Sequence, residues 1–195
     1  MGEKRVFKIY IFRHGQSSYN KAERFTGWHD PGLTKLGIKQ AKEVAKKLKN
    51  KKFGIAFCTR LRRSKQTLRE VLKHHPECRK IIEDDRMIER NYGKLNGLTH
   101  REFIEHFGEE EYNLIHRGFY TSPPRGESFA AIEKRVKSFI KDLKKIMKKE
   151  KTNVAISAHG NSIRLFRKIM EKAGVEETTK WFIPYDKVFV YRVKV

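Results

Sequence analysis

The sequence predicts an α/β protein in which helices cover both faces of a mostly parallel sheet. Three short apolar segments, at residues 6–12, 53–58 and 153–158, are typical of strands buried inside a sheet. Helical segments separate them, and strands that alternate with helices indicate parallel neighbours joined by helical crossovers. A chain of 195 residues is long enough for one domain with a sizeable core. We therefore expect residues 1–195 to form a single three-layer sandwich with the sheet in the middle.

The elements of the first half follow from the spacing of apolar residues. The strand at 6–12 ends abruptly in a basic residue, a histidine and a glycine. After a loop that contains further glycines, Thr34 has the side chain of a helix N-cap, and apolar residues recur at helical spacing up to about residue 48. The strand at 53–58 precedes a basic helix over about 63–73.

The second half is predicted to contain one long helix and several shorter elements. A short strand at Ile81-Ile82 comes first, followed by two short helices separated near Gly108. A helix over about 127–150 has apolar residues three and four positions apart, as expected of a helix packed on a core. The strand at 153–158, a helix that ends near residue 173 and a final strand at 188–195 complete the prediction.

The chain is strongly basic, with 45 lysines and arginines, 23 acidic residues and a formal net charge of +22. Such an excess attracts polyanions, including nucleic acid, anionic membrane surfaces and phosphorylated metabolites. Aromatic residues are not interleaved with the lysines as they are in a base-stacking surface. We therefore expect solvated lysines rather than a nucleic-acid partner.

Three features predict a cytoplasmic protein that is not integral to a membrane. No apolar segment approaches the ~20 residues that span a bilayer. Residues 1–5 do not resemble the start of a secretion signal. Cys58 and Cys78 are too few for a disulfide framework and are not spaced as metal ligands, which is typical of a reducing compartment.

Two of the predicted strands end in a histidine that is followed by glycine. Arg13-His14-Gly15 follows the first strand and His159-Gly160 follows the third, while the second leads towards Arg63. Because the carboxyl ends of parallel strands lie at one edge of a sheet, we expect these side chains to converge there. Glycine lets the backbone approach a ligand, and the arginines offer planar donors to a phosphoryl group. They also disfavour the metal ion that two histidines could bind, so we predict a phosphate pocket without a metal.

Six segments follow one another along the chain: Arg13-His14-Gly15-Gln16-Ser17 with Asn20, Phe25-Thr26-Gly27-Trp28, residues 59–67, residues 89–97, Gly126-Glu127-Ser128 and residues 157–162. In this order they resemble the motifs of the histidine phosphatase superfamily, and within it they are most similar to the 2,3-bisphosphoglycerate-dependent phosphoglycerate mutases. The resemblance covers almost the whole chain.

This resemblance implies the phosphoglycerate mutase-like fold and a covalent relay on a histidine. His14 would be the nucleophile that becomes phosphohistidine, with its imidazole neutral and its tautomer fixed by the loop backbone. Arg13, Arg63 and His159 would hold the phosphoryl oxygens and stabilise charge in the transition state. Glu89 would act as general acid and general base.

The resemblance also implies a substrate and a cofactor. The protein would interconvert 3-phosphoglycerate and 2-phosphoglycerate in glycolysis and gluconeogenesis, with 2,3-bisphosphoglycerate as the priming phosphoryl donor and no metal. A homodimer is compatible with it. The residues that fall on substrate-binding positions are Gln16, Ser17, Asn20, Thr26, Gly27, Arg90, Tyr92, His100, His116, Arg117, Gly160 and Asn161.

Two alternatives remain. His100 and His116 stand where the mutases usually have lysine and arginine, Asn91 replaces a histidine, and the segment at 123–126 is shorter than the loop that helps to cover a mutase site. A more open site would favour water as the acceptor, and therefore a phosphatase that acts on a small phosphomonoester. Asn161 favours the mutase, because the phosphatases more often have a second glycine there. The other alternative is a basic nucleic-acid-binding protein on the same fold.

Overall fold

Alternate residues of the central strands point into two hydrophobic cores, one on each face of a five-stranded sheet. In the computed structural model, which describes residues 5–194, Ile9 and Ile11 lie in one core, and Tyr10 and Phe12 lie in the other. Both faces of the sheet are covered, and this is why its central strands are almost continuously apolar. The three-layer α/β fold expected from the sequence is confirmed.

The sheet is parallel except at one edge. Its order is β3-β2-β4-β1-β5, and β5 alone runs antiparallel to its neighbour, β1. In the register between β1 and β4, Arg13 pairs with Ala158. The carboxyl ends of β1, β2 and β4 therefore meet at one edge of the sheet. The strands are β1 (Val6–Arg13), β2 (Ile55–Cys58), β3 (Lys80–Glu83), β4 (Val154–Ala158) and β5 (Val188–Lys194).

Four of the helices supply most of the helical side of the two cores. The pair α2 and α3 packs on one face of the sheet, and the pair α5 and α6 packs on the other. The helices are α1 (Ser18–Lys21), α2 (Lys35–Leu48), α3 (Arg62–Leu72), α4 (His100–Arg117), α5 (Phe129–Glu150), α6 (Gly160–Glu171) and α7 (Val175–Lys180).

Local sequence signals account for the start of α2 and the shape of α4. The Thr34 side chain accepts the backbone N–H of Gly37 and so begins α2 where the sequence predicts it. Gly108 interrupts α4 with a φ of 84°, and this agrees with the prediction of two short helices at this place.

Two of the helices were not predicted. Both α1, with 4 residues, and α7, with 6 residues, are too short to show a helical period in the sequence. Residues 1–4 and 195, which belong to the predicted domain and final strand, lie outside the described residues. Within residues 5–194, none of the helices combines the length and the apolar character that crossing a bilayer requires.

Candidate active site

The loop after β1 places His14 at the edge of the sheet. Its backbone amide donates to the carbonyl of Ala158 over 3.0 Å, which extends the pairing with β4. Gly15 packs against the first turn of α2, where a Cβ on Gly15 would lie only 2.1 Å from the carbonyl oxygen of Gly37. The absence of a side chain at Gly15 thus lets the loop meet the helix, and the approach of this backbone to a ligand stays a prediction.

The imidazole of His14 is buried and held in one tautomer. Its Nδ1 lies 2.7 Å from the carbonyl oxygen of Gly15, and because a carbonyl can only accept, Nδ1 carries the proton. The lone pair of Nε2 accepts the Nε–H of Arg63 over 3.2 Å. Burial, followed by the charges of Arg63 and Arg13, lowers the pKa of His14 well below its usual value, so the ring is neutral at neutral pH. His14 therefore presents Nε2 as a nucleophilic atom.

Two arginines flank this imidazole. Arg63 is fully buried near the start of α3, and burial lowers its pKa to about 10, which leaves it charged at neutral pH. Its two Nη atoms donate to the carbonyls of His29, over 2.7 Å, and Gly27, over 2.8 Å. Arg13 donates from Nη1 to the carbonyl of Ile183, and its Nε is a buried donor with no partner among the described residues.

His159 lies behind His14 as the N-cap of α6. The two ring centroids are 4.9 Å apart, and Nε2 of His159 is 2.8 Å from the hydroxyl of Thr59 at the end of β2. Burial lowers the pKa of His159 well below its usual value, and the charge of Arg63 adds to the effect. The neutral ring of His159 therefore packs against the ring of His14 without adding a positive charge beside it.

Glu89 is buried beside the two histidines, in the loop region after β3. Its Oε1 accepts the backbone amides of Arg90, over 2.7 Å, and of Asn161, over 3.2 Å. Asn161 is in the first turn of α6, where the helix dipole favours a negative charge. Within the described chain Oε2 has no hydrogen-bond partner, so this oxygen is available to move a proton.

A cavity of about 120 Å³ joins these groups at the carboxyl edge of the sheet. Its chemistry is set by buried cations, a carboxylate and amides, with an aromatic wall on one side. The predicted site residues that line it are Arg13, His14, Asn20, Thr26, Gly27, Arg63, Glu89, Tyr92, His100, His116, Gly160 and Asn161.

The aromatic wall contains the two histidines that replace the usual cations. His100 and His116 have ring centroids 5.7 Å apart, and both rings pack near Phe25. Burial lowers the pKa of His100, and burial together with nearby arginines, Arg117 first among them, lowers the pKa of His116 to about 3. Both rings are therefore uncharged at neutral pH, and this wall carries no positive charge of its own.

Gln16 and Ser17, predicted to bind substrate, lie outside the lining of this cavity. The backbone of Gln16 donates to Gln40, and its side-chain oxygen accepts the hydroxyl of Thr34. Ser17 is the N-cap of α1 and exchanges hydrogen bonds with Asn20. The structure thus places both side chains in contacts that hold the loop, and it leaves Nδ2 of Asn20 without a partner in the described part of the chain.

Arg90 and Arg117 are also placed away from the lining. Arg117 is exposed at the end of α4 and donates to the carbonyl of Thr179 over 2.7 Å. Arg90 is fully buried, and its guanidinium crosslinks the backbone around the start of α5. The carbonyls that accept from Arg90 are those of Ile115, Thr121 and Glu127.

Two further arginines line the cavity, Arg24 and Arg164, and neither was predicted as a site residue from the sequence. Arg24 precedes the Phe25-Thr26-Gly27 segment, and Arg164 lies three residues after Asn161 on α6. Residues three apart share a helix face, so this spacing from Asn161 was the available signal for Arg164.

Three of the buried groups could in principle hold a metal ion. The ligand atoms of His14, Glu89 and His159 all lie within 4.8 Å of one another. However, Arg63 donates to Nε2 of His14, and a cation at that atom would have to displace a guanidinium and lie beside a second one on Arg13. This donor set is better suited to an anion than to a metal.

Comparison with known proteins agrees with this arrangement. The family model of the histidine phosphatase superfamily (branch 1) matches residues 9–194. A 2,3-bisphosphoglycerate-dependent phosphoglycerate mutase of Parvibaculum lavamentivorans is 35% identical over 190 residues, which is 95% of this chain and 90% of its own. A phosphoglycerate mutase of Schizosaccharomyces pombe is 37% identical over 172 residues, or 86% of this chain and 80% of its own.

Solved structures share the fold. A phosphoglycerate mutase from Bacillus anthracis str. Sterne superimposes with a TM-score of 0.80 at 21% identity and covers 98% of this chain and 89% of its own. The alpha-ribazole phosphatase from Shigella flexneri has a TM-score of 0.80 at 22% identity and covers 94% and 89%. At 21% and 22% identity, these two structures show the fold alone. The family model and the two sequence relatives show the family. The chain belongs to the histidine phosphatase superfamily and, within it, to the family of the 2,3-bisphosphoglycerate-dependent phosphoglycerate mutases.

Proposed function

We propose that this protein interconverts 3-phosphoglycerate and 2-phosphoglycerate through a phosphohistidine at His14. The observation that carries the proposal is the cavity in which Nε2 of His14, flanked by Arg13 and Arg63, shares one space with the buried carboxylate of Glu89. Such a site has a nucleophile, fixed positive charge and a proton carrier, which are the parts that phosphoryl transfer needs. The substrate is taken from the names of the sequence relatives.

The chain's own residues would perform two transfers of opposite direction. In one, Nε2 of His14 forms a bond to phosphorus as the ester oxygen leaves, and Glu89 gives that oxygen a proton. In the other, a substrate hydroxyl attacks the phosphorus on His14, Glu89 accepts the hydroxyl proton, and the N–P bond breaks with its electron pair returning to Nε2. Arg13 and Arg63 stabilise the charge on the phosphoryl oxygens in both directions.

The residues also fit the cofactor that the family name implies. 2,3-bisphosphoglycerate is strongly anionic, and four arginines line the cavity: Arg13, Arg24, Arg63 and Arg164. The buried Nε–H of Arg13 has no acceptor among the described residues, and a phosphoryl oxygen would satisfy it. Arg13, Arg63 and Nδ2 of Asn20 would hold the transferred group. When bound, the cofactor would supply the phosphoryl group that primes His14.

The proposed reaction belongs to glycolysis and gluconeogenesis, and we place it in the cytoplasm without a metal. Both cysteines are free thiols, which agrees with a reducing compartment. A homodimer and the absence of a nucleic-acid partner remain predictions from the sequence.

A phosphatase is the second candidate, and one feature of the structure favours it. The connection between α4 and α5 is short, residues 118–128, and the histidine wall beside it carries no charge at neutral pH. None of residues 118–128 lines the cavity, so this connection would leave water free to attack phospho-His14 in place of a substrate hydroxyl.

One assay separates the two candidates. Purified protein is incubated with 3-phosphoglycerate, with and without 2,3-bisphosphoglycerate, and phosphorus NMR follows 2-phosphoglycerate and inorganic phosphate in the same tube. A mutase forms 2-phosphoglycerate in a manner that depends on the bisphosphate, while phosphate stays constant. Accumulation of phosphate with no isomer would overturn the mutase proposal. The His14→Ala variant is the control for contaminating enzymes.

A further inference from the structure

We propose that Arg164 binds the carboxylate of the phosphoglycerate substrate and so supplies the positive charge that positions 100 and 116 lack in this chain. The inference rests on the proposed function and identifies a residue that sets its specificity.

Two of the four arginines that line the cavity are placed to bind the phosphoryl group. Arg13 and Arg63 flank His14, where the phosphoryl group must lie. A monophosphoglycerate carries a carboxylate as well, and a buried carboxylate needs its own cation or donors. His100 and His116 cannot supply the charge, because burial keeps both rings neutral at neutral pH.

Two hydrogen bonds hold the guanidinium of Arg164 in place. Its Nε donates to the carbonyl of Trp181 over 2.7 Å, and its Nη1 donates to Oδ1 of Asn161 over 2.9 Å. These two contacts fix the guanidinium and leave Nη2, in the described part of the chain, without a partner. Although burial lowers the pKa of Arg164 to about 10, the side chain stays charged at neutral pH.

Arg164 is linked to Glu89 through Asn161. Asn161 contacts both residues, since its side chain accepts from Arg164 and its backbone amide donates to Glu89. In 2- and 3-phosphoglycerate the carboxylate carbon is bonded to C2, one of the two carbons whose oxygens exchange the phosphoryl group. When an oxygen of the substrate is within reach of Glu89, the carboxylate lies within a few bonds of that oxygen, and Arg164, which Asn161 links to Glu89 in the same cavity, is the cation we assign to it.

Arg24 is the competing cation, but it is attached differently. It belongs to the loop after α1, and its Nη1 donates to the carbonyl of Gly97. No contact links Arg24 to Asn161 or Glu89 in the described residues. Arg24 therefore provides the comparison variant.

The test measures what the carboxylate adds to binding. Dissociation constants of 3-phosphoglycerate and of glycerol 3-phosphate, which has a hydroxymethyl group in place of the carboxylate, are determined by calorimetry for each variant at pH 7.5. A hydrogen bond to a charged group contributes about 1.5–3 kcal/mol, or roughly 10- to 100-fold in affinity. Arg164→Met should weaken 3-phosphoglycerate by this factor and change glycerol 3-phosphate by less than about threefold. Arg164→Lys should recover part of the preference.

The controls separate a binding role from a structural one. Arg167→Met removes an arginine one turn further along α6 that pairs with Glu171 and does not line the cavity, so it should leave both constants unchanged. The double variant Arg164→Met with His116→Arg should regain a preference for the carboxylate, which a merely structural loss would not do.

Each result of this test either supports the assignment of Arg164 or contradicts it. An unchanged preference in Arg164→Met, or a preference that disappears in Arg24→Met instead, would overturn the inference. The binding assay requires no turnover, so the two proposals can fail separately. If the wild-type protein fails the isomerisation assay but Arg164→Met loses the carboxylate preference, the proposed mutase function is wrong and Arg164 is still the carboxylate ligand.

Discussion

Arg63 donates from Nε to Nε2 of His14 over 3.2 Å, and its remaining nitrogens are bonded to backbone carbonyls. The cation that would stabilise a phosphoryl group is therefore hydrogen-bonded to the atom that would attack it. In the proposed reaction, a bond from Nε2 to phosphorus would remove the acceptor of the Nε–H of Arg63, and a phosphoryl oxygen would replace it. Arg63 would then need little movement to pass from the nucleophile to the transferred group.

The first prediction concerns the nucleophile. His14→Ala is expected to abolish acid-labile labelling of the protein by radioactive 2,3-bisphosphoglycerate, because Nε2 of His14 is the imidazole nitrogen that accepts a hydrogen bond from Arg63 at the cavity. His74→Ala, which removes an exposed histidine, should label like the wild type. Labelling that persists in His14→Ala would exclude His14 as the phosphoryl carrier.

The second prediction concerns the proton carrier. Glu89→Gln keeps an oxygen that can accept the amides of Arg90 and Asn161 but cannot exchange a proton. We expect kcat for isomerisation to fall by ~10²-fold or more, with an unchanged circular dichroism spectrum. Glu105→Gln on the exposed side of α4 is the matched control. A Glu89→Gln enzyme with near-wild-type kcat would show that another group carries the proton.

The third prediction concerns stability against pH. The folded-state pKa of His116 is about 3 against an ordinary value of 6.5, so between these values the unfolded chain binds the extra proton. Stability is therefore complete above about pH 6.5 and falls as the pH is lowered, by about 1.4 kcal/mol per unit for each such histidine. Urea denaturation between pH 7.5 and 5 should show a smaller loss for His116→Gln than for the wild type.

A control on the same helix makes this result specific. His106 is exposed on α4, and His106→Gln should leave the pH dependence of the unfolding free energy as it is in the wild type. If His116→Gln and the wild type lose stability in parallel, His116 is not a buried neutral group.

The fourth prediction concerns the contact between two glycines. A Cβ on Gly37 would lie 2.1 Å from the carbonyl oxygen of Gln16, which is backbone and cannot rotate away. Gly37→Ala is expected to lower the free energy of unfolding by about 1–3 kcal/mol and to reduce kcat, since the displaced loop carries His14. Gly174→Ala has no atom within 4 Å of the new methyl group and should be near neutral in both measurements. Equal stability of the two variants would refute the close packing.

The elements that bury alternating or helical apolar faces were predictable from the sequence, and so was the convergence of His14, His159 and Arg63. The roles of polar side chains that bond to the backbone were not. Arg90 is a residue type that often binds anionic ligands, yet its guanidinium donates to three backbone carbonyls that come together only in the fold. Arg164 shows the reverse: apart from its spacing of three residues from Asn161, its surroundings in the sequence suggest an ordinary helix, and the packing of α6 brings it to the cavity.

The neighbours of β1 have a consequence for how the protein is made. Although β1 is the first strand of the chain, both strands that pair with it, β4 and β5, come from residues 154–194. On the ribosome β1 must wait until residues 154–194 have emerged, with both edges unpaired and open to association with other chains. The cavity, whose lining includes Gly160, Asn161 and Arg164, therefore cannot form before these residues emerge, and termination ahead of them would leave a product without the cavity and prone to aggregate.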